Sequence, residues 1–159
     1  IRANKISEVM VLVNEAEWRF PDRPTVQLML PYCFIADESV YMTQLGTFAH
    51  YRVDPLPGTI FGGRFPINLW PRPLMWAFEW HDPTKDLVLR RGEPLFYCQF
   101  EANGPERAVQ MVEAERTPAL DAYMEKISGA VNYVNQTFGL FKAAEAMRPP
   151  KLLKAKPKD

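Results

Sequence analysis

The 159-residue chain carries 19 basic and 19 acidic side chains, so its formal charge is zero and no global field exists to hold a polyanion; nucleic-acid binding is not expected. With 47% hydrophobic and 13% aromatic residues it can bury a core of its own, and no apolar run approaches the ~20 residues that cross a bilayer as a helix. Cys33 and Cys98 lie in apolar segments without zinc-binding spacing and read as reduced core thiols; with no secretory-signal pattern at the N-terminus, a cytoplasmic protein is expected.

Ile6, Val9, Met10 and Val13 recur at helical spacing, and although residues 9–13 would also suit a buried strand, the spacing favours a helix over 4–17. Pro21, Pro24 and Pro31 then end any helix. Short β-compatible runs at 25–30 and 34–45 alternate with proline or acidic breaks. Residues 47–66 contain Pro55, Pro57, Gly58, Gly62 and Gly63 and read as a long loop carrying aromatic side chains, of the kind that packs over an opening.

The clearest pattern follows. Leu74, Trp76, Phe78 and Trp80 fall on one side of a strand, with Met75, Ala77, Glu79 and His81 on the other; both faces are partly apolar, which predicts a central strand. A turn at 82–85, a returning strand at 86–90, a turn at Gly92-Glu93-Pro94 and a strand at 95–101 complete an antiparallel meander of three strands. After Asn103-Gly104-Pro105 a short strand at 108–112 precedes two amphipathic helices. Thr117-Pro118 is an N-cap followed by proline at the first helical position, with Leu120, Tyr123, Met124 and Ile127 as the buried stripe and Gly129 as the cap. Val131, Val134, Phe138 and Phe141 form the second stripe, stopped by Pro149 and Pro150.

These elements predict an α+β fold: an antiparallel β-sandwich or barrel-like sheet with an N-terminal helix and two C-terminal amphipathic helices. Residues 1–147 form one domain and 148–159 a solvated tail with five basic residues and one acidic residue.

Two constellations could carry chemistry. His50, Glu79 and His81 would give a divalent metal such as iron, manganese or zinc two imidazoles and a carboxylate, leaving coordination positions open; the ordinary account is a hydrogen-bonded histidine beside a turn. Arg52, Arg64, Arg72, Arg90 and Arg91 accompany Trp70, Trp76 and Trp80, and Arg64, Arg72 and Trp76 in particular could hold a small anionic ligand, because a guanidinium binds carboxylate or phosphate through two donors. The ordinary account is that these arginines cap carbonyls or pair with Glu79 and Glu93 while the tryptophans are core. No GxSxG elbow, P-loop or dinucleotide fingerprint occurs, and the sequon Asn135-Gln136-Thr137 falls within a helix-patterned stretch.

The segment LVLRRGEPLFYCQF, residues 87–100, resembles the strand, Gly-acidic turn, strand element of cupin-like barrels and dUTPase-like β-clip proteins, without the paired histidines of the cupin metal motif. The stretch 24–101 also resembles members of an uncharacterised bacterial and phage β-rich family, which implies a fold and no mechanism. With abundant proline and aromatic residues and no recognisable catalytic spacing, the leading expectation is a non-catalytic structural or interaction module, needing no cofactor, that joins a protein partner or a homo-oligomer through its helices. A cupin-like metal-dependent enzyme and a binder of a small anionic ligand are the alternatives.

Overall fold

The computed structural model describes residues 5–104, 106–130 and 137–157. The elements in chain order are helix α1 (Ile6–Val9), strands β1 (Met10–Leu12), β2 (Thr25–Cys33), β3 (Val40–Leu45), β4 (Gly58–Phe61), β5 (Gly63–Pro66), β6 (Pro73–Trp80) and β7 (Tyr97–Ala102), and helices α2 (Pro118–Ala130) and α3 (Thr137–Met147). The fold is α+β, with one sheet ordered β1-β2-β6-β4 and a second ordered β5-β3-β7. Both sheets are open, so the barrel-like alternative is not realised. The chain divides into two compact units, one of Ile1–Tyr32, Thr43–Gly63 and Pro73–Gln99 and the other of Cys33–Met42, Arg64–Arg72 and Phe100–Asp159.

In the first unit the expected N-terminal helix is a single turn. Met10, Val11 and Leu12 instead pair antiparallel with Leu28, Gln27 and Val26 of β2. A helix this short has no stability of its own in water, whereas ladder hydrogen bonds to β2 hold the same apolar run extended. Asn4, the expected start of the helix, lies outside the described residues.

Strand β6 is central, as its two partly apolar faces predict. Trp76 and Phe78 are fully buried, their rings stacked at 5.1 Å, and with Val26 they form the core of this unit. The partner on one edge of β6 is β4, which comes from the stretch expected to be a loop. Gly58 opposes Trp80 there, and a Cβ at Gly58 would lie 2.0 Å from the Glu79 carbonyl oxygen. Glycine in this strand marks a close backbone approach, so the signal that suggested a loop belongs to tight sheet pairing.

The expected three-strand meander is therefore not formed. β2 and β4 occupy both edges of β6, leaving no ladder for 86–90 to join, and β7 pairs with β3 in the other sheet. Residues 86–90 stay irregular. Leu87, Leu89 and Leu95 still pack on the core, and the tryptophans tie the segment down: Trp80 Nε1 donates to the Lys85 carbonyl and Trp76 Nε1 to the Leu95 carbonyl, each at 3.1 Å.

In the second unit, Leu120, Tyr123 and Ile127 of α2 pack with Ala144 of α3, Trp70 and Leu152. Thr117 Oγ1 accepts from the Leu120 amide, the expected N-cap, but α2 continues through Gly129 to Ala130. Val131, Val134, the side chain of Phe138 and the sequon residues Asn135 and Gln136 lie outside the described residues; Phe141 packs edge-on against Trp70. Residues 108–112 are exposed and carry no strand. Lys151, Lys154 and Lys156 of the basic segment are exposed, as expected, yet Leu152 is core and Ala155 bridges to Ala114. Arg148 holds this segment in place by donating to the carbonyls of Asn68, Ala36 and Asp37, while Asp37 Oδ1 accepts from the Leu152 and Leu153 amides.

Two stability experiments follow from this packing. Gly58→Ala should cost at least about 2 kcal/mol in urea unfolding because backbone must move, whereas Gly129→Ala, on an exposed helical position with no atom within 4 Å of the added Cβ, should stabilise by about 0.5–1 kcal/mol. Burial pushes the Tyr123 phenol up from 10.0 to about 12, with its hydroxyl against the carbonyls of Leu69 and Ala144. The unfolded chain then loses this proton first, so the contribution of Tyr123 is complete below pH 10 and is lost as pH rises towards 12. Ultraviolet titration of tyrosinate in wild type and Tyr123→Phe should show one late phenol missing from the variant.

Candidate functional site

The most distinctive polar cluster lies at the end of β6 in the first unit. Alternation along the strand turns Phe78 into the core and sends Glu79 to the opposite face, yet the Glu79 side chain is only 5% exposed. Its Oε1 accepts from His81 Nε2 at 2.9 Å and lies 3.8 Å from an Arg23 guanidinium nitrogen; Oε2 is buried without a hydrogen-bond partner among the described residues. The backbone holds the pair rigidly. Trp80 N donates to Pro24 O, and the amides of His81 and Asp82 both donate to Pro57 O. Asp82 in turn accepts from Thr84 and Lys85, which hold its carboxyl below the usual range.

Arg23 also stands over the Phe20 ring at 4.5 Å, with Arg19 over the same ring at 5.5 Å. A buried carboxylate that accepts from an imidazole N–H orients the ring, and the guanidinium that faces the same oxygen offsets the carboxylate's charge. Sequence reasoning found Glu79 and His81 but missed Arg23, which is 56 residues away in sequence from Glu79 (79 against 23) and enters only through the pairing of β2 with β6.

The structure joins two of the three expected metal ligands to each other. His50 lies instead in the 47–58 stretch, and among the described residues no three His, Cys, Asp or Glu side chains are grouped to hold a metal ion. Arg64 pairs with Glu101 at 2.9 Å and covers the Tyr41 ring at 4.6 Å. Arg72 is exposed, and Trp76 has no exposed surface and spends its indole N–H on Leu95. Arg90 pairs with Glu93 and Asp54, as the ordinary account expected for Glu93. Of the two thiols, Cys98 is half-buried, and burial pushes it up; Cys33 is exposed, not core.

A second feature is the loop between β3 and β4. Phe48, Tyr51 and Val53 are 81%, 86% and 82% exposed, the largest values among the exposed large hydrophobic side chains of the described residues. Phe48 and Tyr51 line an open depression of about 600 Å³ together with His50, Arg52, Pro55 and Leu56. Arg52 anchors the loop from beneath, donating to Glu93 at 2.8 Å and to the Pro94 carbonyl at 3.0 Å, and Tyr97 meets Phe48 edge-on at 5.4 Å. The sequence showed the aromatics of this loop but gave no sign that they would face solvent.

No family model, curated protein or solved structure matches the chain. The cluster itself can be tested by stability. His81→Ala should cost about 1–3 kcal/mol in urea unfolding, because it leaves a buried carboxylate oxygen without its donor, and His81→Gln, which keeps an N–H, should recover part of that loss.

Proposed function

We propose that the chain is a non-catalytic interaction module that self-associates through the loop between β3 and β4. The observation that carries this reading is the presentation of Phe48, Tyr51 and Val53, three large apolar side chains more than four-fifths exposed within six residues. Single exposed hydrophobic residues are ordinary, whereas a cluster beside a depression marks a contact surface. Aromatic side chains are the usual anchors of protein interfaces. Arg52 fixes the loop before any partner arrives, which lowers the entropic cost of binding.

Electrostatics favour a second copy as the occupant. Arg52 with Glu93, and Arg90 with Asp54 and Glu93, neutralise one another around the loop, so these four side chains present no net charge to select a strongly charged ligand. The whole chain is also formally neutral, a condition that promotes association of like molecules. The helices offer less: the apolar stripe of α2 is already consumed by the core of its own unit. Three such side chains cover roughly 500 Å² against the ~800 Å² per partner of a standard interface, which places the association at the weak end.

Light scattering across a concentration series reaching about 100 μM should show a reversible oligomer. The triple variant Phe48→Ser, Tyr51→Ser, Val53→Ser should be monomeric throughout, with thermal stability unchanged because exposed residues contribute little to folding. A wild-type protein that stays monomeric over the series, or a triple variant that still associates, would refute self-association through this loop.

A further inference from the structure

We propose that His81 is a phosphoryl-accepting histidine, with Nδ1 as the nucleophilic atom, Glu79 as the residue that positions the ring and Arg23 as the cation that meets the incoming phosphoryl oxygens. The inference does not rest on the self-association reading: it is argued from residues 19–23 and 79–81, which meet that loop at its last residue, where Pro57 O accepts from the His81 amide.

The geometry points to this chemistry in three steps. A carboxylate oxygen only accepts, so the 2.9 Å contact between Glu79 Oε1 and His81 Nε2 places the ring proton on Nε2 and leaves the lone pair on Nδ1. Nδ1 has no partner among the described residues, and the side chain is 40% exposed. When Nδ1 bonds to phosphorus the ring becomes cationic, and the Glu79 carboxylate, 5% exposed and with Oε2 still unpartnered, is already placed to stabilise that charge. Arg23 reaches the same Oε1 at 3.8 Å and lies over the Phe20 ring, as Arg19 does, so one guanidinium stands beside the carboxylate that holds the imidazole.

The donor class is a phosphoramidate or acyl phosphate. The Nδ1 lone pair attacks phosphorus, the N–P bond forms, and the P–N or P–O bond to the leaving group breaks with its electron pair. The leaving group departs as ammonia, after taking a solvent proton, or as a carboxylate; the Nε2 proton stays on the ring, and nothing is oxidised or reduced.

The test is incubation of the intact protein with phosphoramidate, read by intact mass, peptide mapping and phosphorus NMR. His50 is the only other histidine and serves as the internal reference. The expected result is one acid-labile phosphoryl group per chain, on His81, formed at least about tenfold faster than on His50. His81→Gln should abolish it, His50→Gln should leave it unchanged, and Arg23→Ala should slow it about tenfold while the protein remains folded. For Glu79→Gln, nitrogen NMR of the ring should show the Nε2–H preference weakened together with slower labelling. Equal labelling of His50 and His81, no labelling under conditions that phosphorylate free histidine, or wild-type rates in folded Arg23→Ala would overturn the proposal.

Discussion

Strand β6 is hydrogen-bonded on both edges, and much of the first unit follows from that constraint. Because β2 and β4 occupy its edges, its side chains are pressed into both faces: Leu74, Trp76 and Phe78 into the core on one, Glu79 out of water on the other. The close fit of Gly58 against the Glu79 carbonyl is the local condition for β4 to lie there at all. With both ladders filled, the chain after β6 cannot return as a strand. It crosses as irregular backbone instead, fastened by two indole N–H groups and by its own leucines.

The second unit relies on a different device. Its helices bury a conventional apolar stripe, but the segment after α3 is held by polar groups used with little waste: one guanidinium satisfies the carbonyls of four residues, and one carboxylate oxygen takes two consecutive amides. Such charge-assisted hydrogen bonds order an extended segment that has no secondary structure of its own. Lys154 with Glu115, and Lys156 with Glu113, then draw the basic residues of that segment into pairs within the chain.

The two candidate functional features differ in physical kind. The loop between β3 and β4 exposes apolar area over a charge-neutral base, which suits contact with another neutral protein surface. The Glu79, His81 and Arg23 cluster is small, polar and rigidly backed, which suits chemistry at one ring nitrogen. Both depend on β6: its edge partner β4 begins where the loop ends, and its last residues carry the buried carboxylate.

Patterns confined to neighbouring residues were legible in the sequence by itself: the central strand, the Thr117 cap and buried stripe of α2, the turn at Gly92 with its positive φ, and the α+β class. Period and capping chemistry act over a few residues, so one chain suffices to read them. What only the tertiary structure decided was which segments pair. The apolar run at 9–13 suited helix and strand alike until β2 claimed part of it, and glycines that signal a loop also permit a tight strand contact. The pattern at 86–90 is that of a strand, but an edge to join was lacking. Arg23 joined the Glu79 and His81 pair for the same reason, since contacts between distant residues are set by competition for the same strand edges, and that competition is settled only when the whole chain is folded.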